Sequence, residues 1–533
     1  MKSRLTSLAC AFGIFAILYS LTNIYAQALL YDLQFSELNS LNAIWPKKIY
    51  SLNTPIDTAI PFVPLMIVPY SWSFILFCAS FFMVKTPAQL SLLTRKLILA
   101  TLFACLIFYL FPAKFTFERP AVLGWVHYGY QFLHITDKPF NQFPSLHVAY
   151  AVLLGTSLWE LSKSFLYRLA LCCVCSLIIL STVLTYQHHF LDIIGGLLLA
   201  VFVLGMANKL RSNLVLKYLA VAISGFLILS IAGFILNRGL NSVTVNWLYF
   251  LVAIYWILSF FGLAWAYQFP NQLRHKRWFA KNEQGRLSLS TWLRFMPLLL
   301  GYWLMWYVGQ RYRFTQNSSL NTSLLSRIDM DSKYKIADSI YAVATPKLFN
   351  LSQMSIDPHL FSLNFAKIIV IDSAVETNSH SLNIKKALAT HAQVLNVDNN
   401  DSSNYSHYPS FTAVDLKYLY FPLLDLQSLR EIDTQSFIHL FEEINTLAAI
   451  NRPSDITVNQ PASNMLLINF QCVMGLSRSV ALHALYLIYR GALTADNYIA
   501  WINEHYPKAH INDHYLPKFL IHEIEVLAKN ACK

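Results

Sequence analysis

His147 and His188 stand at the ends of two long apolar runs, and Asp192 follows the second of them at i+4. A carboxylate one helical turn beyond an imidazole can hold one ring nitrogen and leave the other free as a nucleophile. His147, facing the pair from a neighbouring span, could protonate a leaving group. Upstream, the segment AKFTFERP carries Lys114 and Arg119, positive charge suited to a phosphate. Ionisable groups at the edge of membrane segments mark a place where chemistry is expected.

These residues resemble the three motifs of the type 2 phosphatidic acid phosphatase superfamily: a Lys-Arg-Pro segment, a Pro-Ser-x-His segment and a Ser-Arg-x5-His-x3-Asp segment. The second reads Pro144-Ser145-Leu146-His147, and the third runs from Ser181-Thr182 through His188 to Asp192 at the family's spacing. The resemblance implies a phosphohistidine on His188, oriented by Asp192, with His147 as acid. It also implies that Lys114, Arg119 and Ser145 cradle the phosphate, with no metal or other cofactor. Two departures stand out. Four residues separate Lys114 from Arg119 where the family usually has six, and Thr182 occupies the usual arginine position. The lost arginine and the wording STVLTYQHHFLD look more like the inositol-phosphorylceramide synthase branch, which transfers a head group rather than hydrolysing. His189 cannot share a helical face with His188 and reads as a membrane-interface residue.

The elements that must carry these residues are membrane spans. Of 533 residues, 56% are hydrophobic and only 13% charged, which excludes an ordinary soluble protein. The run Ser7 to Tyr31 is too long for a cleaved signal and reads as a retained anchor. Further spans are expected at 60–84, 97–113, 145–161, 168–187, 190–207, 217–236 and 246–267, with a shorter ninth candidate at 295–310. The expected fold class is a multi-pass α-helical membrane domain, with a six-helix phosphatase-type core plus two or three extra spans, followed by a soluble α/β domain. Its divisions are a core at 1–210, additional spans at 211–310, a linker at 311–333 and the second domain at 334–533.

Lysine and arginine collect on alternate loops, which makes those loops cytoplasmic and puts the histidine site at the outer face of a plasma (inner) membrane. The side of the C-terminal domain turns on whether 295–310 crosses, and nine crossings are favoured. The net charge of +12 lies largely in juxtamembrane loops, culminating in RHKRWFAKNEQGR. It reads as a topology signal that also meets anionic lipid, so nucleic acid is not an expected partner. Membrane lipids and phosphate are.

Past Gln310 the composition turns soluble, and strand-like runs (IADSIYAVA, AKIIVIDSA, VDLKYLYFPLLDL) alternate with helical ones. The last strand opens into the loop QCVMGLSRS, which places Cys472, Gly475, Ser477, Arg478 and Ser479 at a strand-to-helix junction. A loop bent around a glycine at a helix N-terminus presents backbone N–H groups to an anion. The thiolate is the reactive form of a cysteine there, and an arginine can hold two phosphate oxygens at once.

This region resembles the dual-specificity branch of the cysteine-dependent protein tyrosine phosphatases. The resemblance implies Cys472 as nucleophile, Arg478 as phosphate ligand with Gly475 and Ser477 in the binding loop, Ser479 assisting the departing thiolate, and Asp425 as general acid. Gln471 replaces the family's histidine, and Asp425 lies 47 residues before Cys472, further than usual, so Asp433 or Asp415 remain alternative acids. The other cysteines show no disulfide framework and no zinc spacing.

The function expected from the sequence is a membrane-bound phosphoryl-transfer enzyme acting on lipid phosphates, with a histidine nucleophile in the membrane and a cysteine nucleophile in the C-terminal domain. The alternative is a lipid head-group phosphotransferase whose C-terminal domain binds phosphate but is catalytically weak.

Overall fold

The computed structural model describes residues 2–35, 48–136, 138–237, 243–282, 285–313, 326–328, 339–346, 365–375, 415–424, 427–448, 465–472, 477–507, 509, 511–512 and 515–531. The chain separates into two compact units, Met1–Gln268 and Phe269–Lys533.

The first unit is helical: α1 (Lys2–Phe35), α2 (Pro55–Ala59), α3 (Ile67–Met83), α4 (Pro87–Leu110), α5 (Val126–Thr136), α6 (Leu146–Trp159), α7 (Phe165–Leu184), α8 (Phe190–Ala207), α9 (Asn213–Asn237) and α10 (Val243–Gln268). Among the described residues, seven helical stretches are long and apolar enough to cross a membrane: Lys2–Tyr31, Pro64–Met83, Pro87–Leu110, Phe165–Leu184, Phe190–Ala207, Asn213–Leu236 and Trp247–Gln268. The chain is a multi-pass membrane protein.

The span expected at 145–161 is the 14-residue α6. At 1.5 Å per residue it is roughly 21 Å long, short of a hydrocarbon layer of about 30 Å. Ser145 caps its N-terminus by accepting the Val148 N–H, and the Phe143–Pro144 peptide ahead of it is cis. A short helix that starts late leaves His147 in its first turn. Val148, Ala149, Leu153 and Leu154 of α6 are buried, and it packs against α4, α7 and α8.

In the second unit, α11 (Gln272–Trp278) is followed by α12 (Leu289–Arg313), which is interrupted at Phe295, just ahead of Pro297. The ninth crossing expected at 295–310 is not among the seven candidate spans. A proline inside a helix removes one backbone hydrogen bond and clashes with the preceding turn, which accounts for the break. Beyond it a five-stranded sheet is formed by β1 (Ser326–Ile328), β2 (Ser339–Pro346), β3 (Phe365–Ala374), β4 (Asp415–Leu423) and β5 (Met465–Cys472), in the order β1-β2-β5-β3-β4. β1 is antiparallel to β2, and every other pairing is parallel. The apolar runs IIVI and LLI bury Ile369, Val370, Ile371 and Ile468 in the middle of the sheet, as central parallel strands require.

The helices α13 (Thr434–Ala448), α14 (Arg478–Tyr489), α15 (Tyr498–His505) and α16 (Lys518–Ala531) complete the second unit. Every residue from Arg478 to Ile488 is buried, so α14 is its central helix. Lys281 reaches the end of β3 and forms an ion pair with Asp372 at 2.7 Å, with neither side chain exposed. The Tyr418 hydroxyl donates to the same carboxylate at 2.6 Å.

Candidate functional site

Three segments of the first unit converge where α6 and α8 begin. His188 is the last residue but one of the loop between α7 and α8, and His189 is the N-cap of α8. The His188–Asp192 pair is therefore not a helical i,i+4 pair, as expected from spacing. The chain turns sharply at Tyr186, whose φ is 53°, and the Thr182 carbonyl accepts the N–H groups of both Gln187 and His188. Asp192 then folds back as a capping residue. Its Oδ2 accepts the His189 N–H at 2.8 Å and lies 3.4 Å from His188 Nδ1. Placing the Nδ1 proton toward that carboxylate leaves Nε2 without a partner among the described residues.

His147 meets this pair from α6: the two imidazole centroids are 6.0 Å apart. The Tyr70 hydroxyl lies 3.4 Å from His147 Nδ1, and their rings sit at 4.4 Å. The approach of α8 to α6 depends on Gly195 and Gly196. A Cβ on Gly196 would lie 2.6 Å from the Ser145 carbonyl oxygen, and one on Gly195 would lie 2.4 Å from the Phe143 ring. Asp192 is fully buried and His188 nearly so, which strengthens their interaction.

The phosphate-binding candidates divide. Arg119 reaches the histidine loop, its Nε donating to the Tyr186 carbonyl at 3.1 Å. Lys114 is tied through its backbone N–H to the Tyr50 carbonyl at 2.9 Å. Ser145 is buried and its hydroxyl is engaged as the α6 cap at 3.5 Å, the long limit of a hydrogen bond. Thr182, in the position of the missing arginine, is fully buried, with its hydroxyl turned back on the Ile179 carbonyl. Beside Arg119 opens a cavity of about 510 Å³ lined by Arg119, Val122, His127, Tyr130, Gln131 and His134. Burial pushes the Tyr130 hydroxyl up to about 12, with the Arg119 charge opposing.

His189 is corrected. It is fully buried rather than an interface residue, with Nε2 3.2 Å from the Thr116 hydroxyl and its ring against Phe115 and Phe117. Burial lowers its pKa, partly offset by Asp192 and Asp57. Asp57, Tyr70 and Tyr186 were not singled out from the sequence. Only Asp57 carried a local signal, because Thr54-Pro55-Ile56-Asp57 has the form of a helix-capping box.

In the second unit Cys472 ends β5 and Arg478 opens α14. Cys472 Sγ lies 3.2 Å from the Ser479 hydroxyl, and Arg478 Nη1 donates to the Leu423 carbonyl at 3.0 Å. Both Cys472 and Arg478 are buried. Ser477 is the half-buried N-cap of α14. Asp425 and Gly475 lie outside the described residues, as does the side chain of Asp415; Asp433 is exposed, ahead of α13.

A helical membrane unit with two histidines and a buried carboxylate gathered at one end has the features of a phosphatase or phosphotransferase. Residues 62–206 match the family model of the PAP2 superfamily, and the chain carries a PAP2 superfamily domain over that range, whose members act on phosphate esters. That match does not extend into the second unit. No curated protein and no solved structure matches the chain.

Proposed function

We propose that the first unit is a lipid-phosphate phosphoryl-transfer enzyme working through a phosphohistidine on His188. The observation that carries this reading is the meeting of His188, Asp192 and His147 where α6 and α8 begin, with 3.4 Å from His188 Nδ1 to Asp192 and 6.0 Å between the two imidazole centroids. His188 Nε2 attacks phosphorus and forms the N–P bond while the bond from phosphorus to the leaving oxygen breaks. His147 gives that oxygen a proton and so becomes neutral. Asp192 holds the Nδ1 proton and offsets the positive charge on the imidazole. Arg119 is near enough to the histidine loop to bind the non-bridging oxygens. In the second half-reaction an incoming hydroxyl, from water or from an alcohol, attacks phosphorus. His147 takes its proton, and His188 leaves as the neutral imidazole.

The alternation of basic loops supports an outer-face location for this site. In the second unit, the 3.2 Å contact between Cys472 and Ser479 and the arginine at the start of α14 support a cysteine-dependent phosphatase. There the Cys472 thiolate would attack the phosphorus of a monoester, forming an S–P bond as the P–O bond to the ester oxygen breaks and that oxygen leaves with a proton as the alcohol. Water would then attack phosphorus, breaking the S–P bond, and Ser479 would assist the departing thiolate. One observation favours a transferase in the first unit: Thr182, buried where the arginine is lost, removes one positive charge from the hydrolytic pattern.

Phosphate release from lipid phosphates by the detergent-solubilised full chain tests the assignment. His188→Ala should remove the activity of the first unit and Cys472→Ser that of the second, so that turnover vanishes in two stages. Wild-type turnover that neither change alters would contradict the proposal.

A further inference from the structure

The nucleophile proposed above sits on a loop, and a loop needs something to hold it. Asp192 holds it from the C-terminal side. On the other side lies the segment Asp57–Val63, which runs from the last turn of α2 toward α3, with Asp57 to Pro61 ahead of the PAP2 match at 62–206. This segment runs beside the histidine loop in the opposite direction and meets it three times. The Val63 N–H donates to the Leu184 carbonyl at 2.8 Å. The Tyr186 hydroxyl donates to the Ile60 carbonyl at 3.1 Å. The Phe190 N–H donates to Asp57 Oδ1 at 2.7 Å. Leu184, Tyr186 and Phe190 bracket His188, so the loop is pinned before and after its nucleophile.

Asp57 is the charged member of this brace. It is 6% exposed, and its second oxygen accepts the Thr54 N–H at 2.6 Å and the Thr54 hydroxyl at 2.7 Å. A buried carboxylate is costly unless fully hydrogen-bonded, and here each oxygen is satisfied by a different segment. The acceptor it offers to Phe190 lies at the first turn of α8, where a helix presents unpaired N–H groups and favours negative charge. Two carboxylates therefore fix the start of α8: Asp192 on the N–H of His189 and Asp57 on the N–H of Phe190.

We propose that Asp57 is a positioning residue for His188, holding the α8 N-terminus through Phe190 so that the imidazole stays over Asp192. The inference rests on the phosphohistidine reading and adds to it a residue supplied by a segment outside the family match. Asp57 touches no reacting atom. Its effect falls on how often His188 is aligned, hence on turnover rather than on substrate affinity.

The test is steady-state turnover of the purified full chain on detergent-dispersed phosphatidic acid, alongside amide hydrogen exchange of the 186–192 segment. Asp57→Ala is expected to lower kcat about 10-fold or more, the size of losing one hydrogen bond to a charged group, with KM within about twofold. Asp57→Asn keeps an oxygen for the Phe190 N–H and should recover most of kcat. Tyr186→Phe, which removes the milder central contact, should lower kcat by a smaller factor with KM again unchanged, and it keeps the test open should Asp57→Ala not fold. Both Asp57→Ala and Tyr186→Phe should speed exchange at 186–192. If kcat and exchange stay at wild-type values in these variants, or if KM rises in place of the fall in kcat, the proposal is overturned. Wild-type protein inactive on every lipid phosphate, with exchange still faster in Asp57→Ala, would reject the phosphohistidine reading and reduce Asp57 to a structural brace, which also overturns its role toward His188.

Discussion

The backbone N–H of Ser145 donates to the backbone carbonyl of Asp192 at 3.1 Å. A bond between main-chain groups of the second and third motifs fixes the start of α6 against the first turn of α8. It thereby sets the 6.0 Å separation of the His147 and His188 rings, which side-chain rotation alone could not hold.

The first prediction follows from how closely those helices approach. In Gly196→Ala the new methyl group would enter the space of the Ser145 carbonyl oxygen at 2.6 Å and Val148 Cβ at 2.8 Å. Neither is the far end of a flexible side chain, so α8 must move away. Overpacking of this kind costs about 1–3 kcal/mol. The variant should melt at a lower temperature in detergent and lose turnover on the order of 10-fold or more, because the histidines part company. Unchanged melting and turnover would show that the helix approach is looser than described.

A second prediction concerns the Lys281–Asp372 pair. Both side chains are fully buried, and Asp372 also accepts from the Tyr418 hydroxyl. Removing one partner of such a pair leaves an uncompensated charge, which typically costs about 3–5 kcal/mol. Lys281→Met should therefore destabilise the second unit strongly, as read by limited proteolysis of the full chain. The double change Lys281→Met, Asp372→Asn should restore much of the loss. The single variant being as resistant as wild type would refute this.

The third prediction is a pH dependence. His483 is fully buried on α14, with Nδ1 2.9 Å from the Tyr506 hydroxyl and its ring stacked on Phe470. Burial lowers its pKa from 6.5 to about 3, with His505 adding to the effect. Between those values the unfolded chain binds a proton that the folded chain refuses. Stability is therefore complete above about 6.5 and is lost as pH falls below it. Amide exchange along α14 should accelerate on acidification, and His483→Phe should flatten that dependence. A profile unchanged by the substitution would assign the acid sensitivity elsewhere.

The fourth prediction uses the cavity beside Arg119. Helix α5 turns Tyr130 and Leu133 onto Ile67 and Tyr70 of α3, exposes Tyr128 and Phe132, and lines the cavity with His127, Gln131 and His134. His127 and Gln131 are exposed, so replacing them should spare the fold. The double variant His127→Ala, Gln131→Ala should raise KM for a lipid phosphate by about 3- to 10-fold, the worth of one or two hydrogen bonds, with kcat little changed. An unaltered KM would place substrate on another side of Arg119.

Much of the membrane unit was legible because the chemistry is local. His147, His188 and Asp192 lie at fixed spacings beside apolar runs that are easy to read, and the three meet where α6 and α8 begin. What spacing could not supply was the kind of turn. Asp192 reaches His188 as a capping residue from the third position of α8, and that depends on the left-handed Tyr186 and on Thr182 accepting two N–H groups. Burial of His189 was not readable either, since it depends on Phe115 and Phe117 arriving from another loop. Asp57 escaped notice for the same reason: its capping box is visible in sequence, but its partner Phe190 lies 133 positions away. In the second unit the strand and helix order was read from strand-like apolar runs alternating with helical ones, whereas Lys281 looked like one more charge in a basic juxtamembrane run and is instead buried against β3.

The central claim is that phosphorus is captured by His188. The most direct measurement mixes the purified full chain with a lipid phosphate, quenches within the first turnover under alkaline conditions that preserve a phosphoramidate, and maps the modification by mass spectrometry. One acid-labile phosphate on the peptide containing His188, retained in Cys472→Ser and absent in His188→Ala, is the predicted result. Turnover of the substrate with no phosphate on His188 at any time, or with the label carried by another residue of the first unit, would contradict the account.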